Sequence, residues 1–427
     1  KFPDRAAQAF NYMWRYSANR EALYETPALL DCGQASGAHQ NAETIMRKMR
    51  EQGRVLLTEP ESKEILAAYG IPVVETVVAT TEEEAAALAT RIGFPVAIKL
   101  HSETITHKTD VGGVRLDLRD AADVRHAWRT IRRNVAEKVG EHHFFGVTVE
   151  QMIPSDGFEL ILGSSIDPQF GPVLLFGTGG TWVESMPDHA IAFPPLTSTL
   201  ARRLMEQTRI FSALKGGRGR PPIDFAALEK VLVRFSQLVA EQRVIKEIDV
   251  NPLFVSADRI VALDARVILH DASVKEAQLP ALAIRPYPQH YATGEILADG
   301  TRILLRSICP EDEPLMVSFH LTLSDESVYY RFFTAMSLQT RTSHDRLARL
   351  CFIDYDREAA LVAVHADPRT GRREILGVAR LLKAHGRNEA EFAVVVSDAW
   401  QRRGMGRLLL TKLVAICLLY TSPSPRD

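Results

Sequence analysis

Apolar residues recur at helical spacing at the start of the chain, where Ala6, Ala9, Phe10, Met13 and Trp14 predict one helix over residues 5–24 that ends near Thr26-Pro27. Asp31 to Asn41 is rich in Gly, Ala, Ser and Gln and reads as a linker. From Thr58 onward helical and extended patterns alternate. Glu61 to Tyr69 predicts a helix closed by Gly70, Ile71 to Ala79 is β-branched and extended, and Thr81 caps an acidic helix that runs to Ile92. Phe94 to Leu100 is an apolar strand with one charge, Lys99, near its end. Further strands are predicted at 146–152, 159–164, 173–176, 245–250 and 260–267, with helices at 121–139, 201–213 and 225–241. Together these make an α/β or α+β domain.

Three prolines between Pro280 and Pro288 mark a boundary near Ile284. Beyond it the pattern predicts strands at 301–305, 359–365, 373–383 and 390–396, then a helix from Met405. No internal repeat is evident.

Composition narrows the class without changing these elements. The 427 residues are 46% hydrophobic and 24% charged, which is ordinary for a globular chain long enough for more than one core. A formal net charge of −2 supplies no global basic field for nucleic acid or an anionic membrane. The four cysteines, Cys32, Cys309, Cys351 and Cys417, show neither a CxxC pair nor regular spacing, so no disulfide framework or zinc site is expected and a reducing cytoplasm fits. No apolar run reaches the roughly 20 residues of a membrane span. The N-terminus has neither an initiator Met nor a signal arrangement and reads as cut.

Candidate chemistry falls in two places. In the first, Lys99 closes a strand and His107-Lys108-Thr109-Asp110-Val111-Gly112-Gly113 follows as a polar loop able to lay backbone N–H groups on phosphate oxygens. Thr148 to Pro154 ends a strand with Glu150, Glu159 opens the next, and Gly177-Thr178-Gly179-Gly180 is a second flexible turn. Glu247 to Leu253 and Ala262 to Arg266 then place oxygen ligands on consecutive strands, as Mg²⁺ requires.

These ordered motifs, from about Leu56 to Asp271, resemble the ATP-grasp domain of ADP-forming acyl-CoA synthetases, relatives of the succinyl-CoA synthetase β subunit. The resemblance implies that Lys99, with the Lys108, Gly112 and Gly113 loop, contacts nucleotide phosphates. It implies Glu150 and the Met152 backbone for the adenine, Glu159 for the ribose, and Asn251 with Asp264 for Mg²⁺. His107 corresponds to a loop histidine that relays a phosphoryl group in some members, a role open to a neutral imidazole. A domain that keeps the fold without turning over ATP stands beside this reading. Phe2 to Ala9 resembles the closing helix of the CoA-ligase subdomain that precedes ATP-grasp in such proteins.

In the second place, the strand 389–396 runs into Gln401-Arg402-Arg403-Gly404-Met405-Gly406 and a leucine-rich helix. A strand, a Q-x-x-G-x-G turn and a helix N-terminus form a pyrophosphate cradle. This resembles motif A of the GNAT acetyltransferases, and implies that Val396 and residues 401–406 hold acetyl-CoA. Thr301 to Arg306, Cys309 to Asp312 and Ser327 to Phe333 extend the likeness to bacterial protein lysine acetyltransferases. Glu391 is the candidate general base and Glu389 the alternative.

The expected organisation is therefore an α/β multidomain chain: a CoA-ligase remnant and linker over 1–42, an ATP-grasp α+β domain over 43–283, a truncated GNAT domain over 284–417, and a non-native tail over 418–427. The expected function is transfer of acetyl from acetyl-CoA to protein lysines, an acyl-CoA synthetase among the candidate substrates, with the ATP-grasp domain binding ATP, Mg²⁺ and acyl-CoA. The alternative is an ADP-forming acetate-CoA ligase with an accessory GNAT domain; a purely regulatory pair of binding modules is the third reading. No nucleic-acid or membrane partner is expected, self-association is left open, and the chain as given is expected to be inactive as an acetyltransferase.

Overall fold

The computed structural model describes residues 3–23, 25–26, 36–105, 108–153, 156–180, 188–217, 221–355, 357–383 and 389–421. The chain divides into two compact units, Leu30–Ile284 and a second made of Arg285–Asp427 with Lys1–Leu29. The N-terminal helix α1 (Pro3–Leu23) leaves Phe10, Met13 and Trp14 exposed. The stretch expected as a linker is helical from Ser36, where α2 (Ser36–Glu51) begins. Its Met46 and Met49 are buried, and that tertiary burial outweighs the poor propensity of the Gly/Ser-rich start.

In the first unit α3 (Glu59–Ala68) opens at Thr58, whose N–H donates to Glu61, three residues into the helix. β1 (Thr76–Ala79) leads to α4 (Glu82–Ile92), capped by the Thr81 side chain accepting from Glu84 N–H as the sequence predicts. β2 (Val96–Leu100), β3 (Val114–Leu118), α5 (Ala121–Lys138) and β4 (Val147–Gln151) follow. Next come β5 (Phe158–Asp167), β6 (Gly171–Thr178), β7 (His189–Ala192), α6 (Ser198–Glu206), α7 (Ile210–Leu214) and α8 (Phe225–Glu241). β8 (Ile245–Val255), β9 (Ile260–Ala262) and β10 (Arg266–Leu269) close the unit.

Among the described residues these strands form two antiparallel sheets, one ordered β1-β4-β2-β3 and one β10-β8-β5-β6-β7 with β9 on β8. The small sheet packs Val96, Ile98, Leu100, Val147 and Val149 on the apolar stripe Val124, Ala127, Ile131 and Val135 of α5 and the alanines of α4. The larger sheet carries Leu160, Leu162, Phe176 and Val250 against Phe235 and Leu232 of α8, with Met46 and Ile65 in the same core. The span 260–267, predicted as one strand, is two, because the chain turns at Leu263 and Asp264 to reach a different register on β8. The span 201–213 is likewise split into α6 and α7.

The second unit holds β11 (Thr293–Ile296), β12 (Arg302–Ser307), α9 (Glu313–Leu321), α10 (Asp325–Phe332), α11 (Leu338–Arg341) and α12 (His344–Cys351). β13 (Glu358–Ala366), β14 (Arg373–Lys383), β15 (Ala390–Val396) and α13 (Met405–Thr421) complete it. Its strands form one antiparallel sheet in sequence order. Alternate residues of β13 serve opposite faces: Leu361 and Ala363 meet Met405, Leu409 and Leu413 of α13, while Val362 and Val364 meet Met316, Phe319 and Leu347. Both faces being covered explains the unbroken apolar run in β13. Residues 418–421, expected to lie outside the fold, continue α13, and 422–427 lie outside the described residues. No described helix is long and apolar enough to cross a membrane.

Candidate functional site

α3 presents Glu59 and Lys63 one turn apart, and β2 and β4 present Lys99 and Glu150 on neighbouring strands. Lys99 is paired with Thr148, two residues from Glu150, so both side chains rise from the same face of the small sheet. Thr76 on β1 faces Glu150 from the other side. The result is a buried charge network. Lys99 Nζ lies 2.7 Å from Glu59 Oε1 and 2.9 Å from Glu150 Oε2, and Lys63 Nζ lies 2.8 Å from Glu59 and 3.1 Å from Glu150. Lys63 also donates to Thr76 Oγ1 at 2.8 Å, and Lys108 closes on the second oxygen of Glu59. Glu59, Lys63, Lys99 and Glu150 are all buried.

Lys99 further donates to the carbonyl of Leu263 at 2.8 Å, which ties the small sheet to the turn after β9 and brings in Asp264. Burial would raise the Glu59 carboxyl, but the ammonium groups of Lys99, Lys108 and Lys63 hold it well below the usual range. Glu150 and Asp264 are pushed up, first by burial and then by the charge of Glu59. Lys99, which burial alone would discharge, is kept charged by Glu59, Glu150 and Asp264. Three cations thus share a low-dielectric junction between two sheets, where a polyanion would find strong and preorganised partners.

The glycine turns complete this junction. Gly113 N–H donates to Lys108 O, and a Cβ at Gly113 would come 2.9 Å from that oxygen, so the loop closes only without a side chain. Gly112 sits at φ +66° with its carbonyl accepting from Asn134 Nδ2 at 3.2 Å. On the larger sheet, Gly179 N–H donates to the Glu159 carbonyl at 2.8 Å and Gly180 N–H to Asn251 Oδ1 at 2.9 Å. Glu159, the Gly179-Gly180 turn and Asn251, read separately in sequence, therefore converge. Leu263 N–H donates to Pro252 O, so Asp264, in the turn after β9, and Asn251, on β8, flank that bond. Met152 N–H donates to Pro95 O at 3.0 Å. His107 lies outside the described residues.

Among the described residues no group of three or more His, Cys, Asp or Glu is arranged to hold a metal. Asp264 and Asn251 offer one carboxylate and one amide oxygen, and the Asn251 oxygen keeps a second lone pair beside its bond to Gly180. That hard-oxygen pair suits Mg²⁺, which takes few protein ligands and completes its shell with water and phosphate.

In the second unit, Gln401 Nε2 donates to Val396 O at 3.2 Å, Ser327 Oγ at 3.0 Å and Asp398 Oδ1 at 3.2 Å, locking the turn after β15. Arg402 and Gly404 take positive φ, Met405 is buried in the core, and a Cβ on Gly406 would meet only Val396. Arg403 pairs with Asp299 at 2.9 Å and lies over the Trp400 ring, so its charge is already engaged. Glu391 is exposed on β15 opposite Leu382, while Glu389 precedes the strand.

Residues 48–269 match the ATP-grasp domain family, a little over half of the chain. The chain belongs to the ATP-grasp family. It is 40% identical over 228 residues to the β subunit of acetate–CoA ligase [ADP-forming] I from Pyrococcus furiosus, an alignment covering 53% of this chain and 97% of that subunit. It is 34% identical over 269 residues to acetate–CoA ligase [ADP-forming] I from Archaeoglobus fulgidus, covering 62% of this chain and 38% of that protein. Among solved structures, it shares 38% identity and a TM-score of 0.52 with the dinucleotide-forming acetyl-coenzyme A synthetase 1 of Ca. Korarchaeum cryptofilum, over 54% of this chain and all of that one.

These relatives correct the functional expectation. Acetyl transfer to lysine as the main activity, and with it the protein lysine partner, is overturned: the relationship is with ADP-forming acetate-CoA ligases. Strand, glycine turn and helix N-terminus form a generic anion cradle shared by many folds, so the 401–406 turn does not by itself assign an activity. Glu59 and Lys63 were missed altogether. The sequence pattern starts this helix only at Glu61, which leaves Glu59 outside it; the observed helix includes both as an i,i+4 pair, and only tertiary packing reveals that both are buried.

Proposed function

We propose that this chain supplies the nucleotide-binding part of an ADP-forming acyl-CoA ligase, with acetate as the first candidate acid. The buried network of Lys63, Lys99 and Lys108 on Glu59, Glu150 and Asp264 carries the reading, together with the relationship to acetate-CoA ligases. A triphosphate entering the junction takes over as counter-ion for Lys99 and Lys108. Gly112 and Gly113 let the loop backbone follow its oxygens. By family resemblance, Glu150 and the Met152 backbone serve the adenine and Glu159 the ribose. Asn251 and Asp264 hold Mg²⁺, which neutralises phosphate charge when bound.

In the ligase reading His107 receives a phosphoryl group on a ring nitrogen as its bond to ADP breaks, and passes it on toward the carboxylic acid. The resulting acyl phosphate reacts with the CoA thiol, releasing phosphate. We assign residues 43–283 to the ATP-grasp domain and 284–417 to an accessory GNAT-like unit, with 1–42 related to a CoA-ligase domain. Calorimetric titration of the full chain with a non-hydrolysable Mg²⁺·ATP analogue tests the proposal. Saturable binding that Lys99→Met weakens about thirtyfold or more supports it; no binding, or binding that Lys99→Met leaves unchanged, overturns it.

A further inference from the structure

Eight buried side-chain nitrogen and oxygen atoms lack a hydrogen-bond partner among the described residues, and four of them belong to one place in the second unit. They are both ring nitrogens of His320, Nε of Arg341 and Nε of Arg346. His320 is 3% exposed and Arg341 4%. The three residues lie on α9, α11 and α12, which pack on one another, and Arg341 Nη1 donates to the His320 carbonyl at 3.3 Å. A fourth residue joins from α10: the Arg331 and Arg346 guanidinium groups lie 4.8 and 5.0 Å from the centroid of the same Phe332 ring.

Among the described residues none of Arg331, Arg341 and Arg346 forms an ion pair, whereas neighbouring Arg380 has Glu358 at 2.6 Å. Burial, with the charges of Arg341, Arg346 and Arg331, pushes His320 down to about 4. Burial and then Arg380 and Arg346 lower Arg331, with Glu391 offsetting them in part. His320 and Arg341 are buried and Arg331 and Arg346 half-buried; gathering like charges at such a place is costly, and buried polar atoms in folded proteins are otherwise nearly all satisfied. An anion that accepts from several guanidinium groups removes both penalties at once.

We propose that His320, Arg331, Arg341 and Arg346 form a binding site for a phosphate group. A neutral imidazole asks for one acceptor and one donor. A hydrogen phosphate supplies both, whereas a carboxylate supplies acceptors only. The group is either inorganic phosphate or the phosphomonoester of a small organic molecule. The site lies wholly within the 285–427 unit and is independent of the ligase reading.

The test is calorimetric titration of the full chain at constant ionic strength with inorganic phosphate, with glycerol 2-phosphate and with acetate. Lys99→Met serves as background, so that phosphate binding in the ATP-grasp junction does not contribute. Saturable phosphate binding that weakens about tenfold or more in Arg331→Gln and in Arg346→Gln is expected, the loss of a charged hydrogen-bond partner being of that order. Tighter binding of the monoester identifies the organic source, and tighter binding of phosphate the inorganic one. No saturable binding, binding of acetate alone, or phosphate affinity unchanged in both variants overturns the proposal. Should either variant fail to fold, hydrogen exchange on the unmutated chain decides. Phosphate-dependent protection of residues 313–351 supports the site, and protection confined to the first unit or absent refutes it.

Discussion

Glu59→Gln is the most informative perturbation, because one carboxylate there faces three ammonium groups. Glu59 meets Lys63 at 2.8 Å and Lys99 at 2.7 Å, with Lys108 on its other oxygen, and it is buried. The amide keeps the shape and removes the charge, leaving three cations to Glu150 and Asp264. Removing one partner of a buried ion-pair network costs about 3–5 kcal/mol, and redistribution of charge onto the two remaining carboxylates favours the lower end. At about 2–4 °C per kcal/mol for a unit of this size, the transition of the first unit falls by roughly 6–12 °C.

The pH dependence is diagnostic as well. The Glu59 carboxyl titrates below its unfolded value, so the unfolded chain takes up that proton first. Its stabilisation is full above the unfolded pKa and is lost as pH falls through the folded one. Glu150 and Asp264 are raised and act in the opposite sense: their contribution is present at low pH and lost as pH rises through their folded values. Glu59→Gln therefore removes most of the acid-side loss. Scanning calorimetry of both proteins between neutral and acidic pH measures both effects. A Glu59→Gln transition within about 1 °C of wild type at neutral pH would mean that the network contributes nothing net, and the reasoning fails.

Other consequences are checked more simply. Lys99→Met weakens nucleotide binding by about 2–5 kcal/mol, the cost of stranding buried charge, as read from analogue titrations. Asp312→Asn leaves Arg306 buried opposite a neutral amide, since Asp312 is 2% exposed and takes both Arg306 nitrogens; urea denaturation should show about 3 kcal/mol lost from the second unit. Gly179→Ala drives a Cβ into the Leu160 backbone, whereas Gly180→Ala meets the movable end of Glu159 and suffers mainly from its φ of +71°. Gly180→Ala should cost about 1–2 kcal/mol and Gly179→Ala more, by chemical denaturation. Equal losses would show that the Leu160 backbone yields.

The sequence carried most of the local structure, because caps and periodicity act over a few residues. Thr81, the apolar stripe of α8 and the runs of β14 and β15 sit in the elements that their patterns predict. It also singled out Lys99, Lys108, Glu150, Glu159, Asn251 and Asp264 one by one, through motif order and resemblance. What it did not contain was their partnership. The Lys99–Glu150 pair depends on strand register, the closing of Lys63 and Lys108 on Glu59 depends on how α3 docks beside the small sheet, and Asp264 joins through a turn read as strand. The four orphaned nitrogens around His320 were equally invisible, since each residue lies on a separate short helix. Burial and charge coupling arise between segments far apart in the chain, and the strength of an ion pair depends on the water that surrounding elements exclude. Sequence determined which groups are present and which elements bear them; tertiary packing decided which are dry and which are paired.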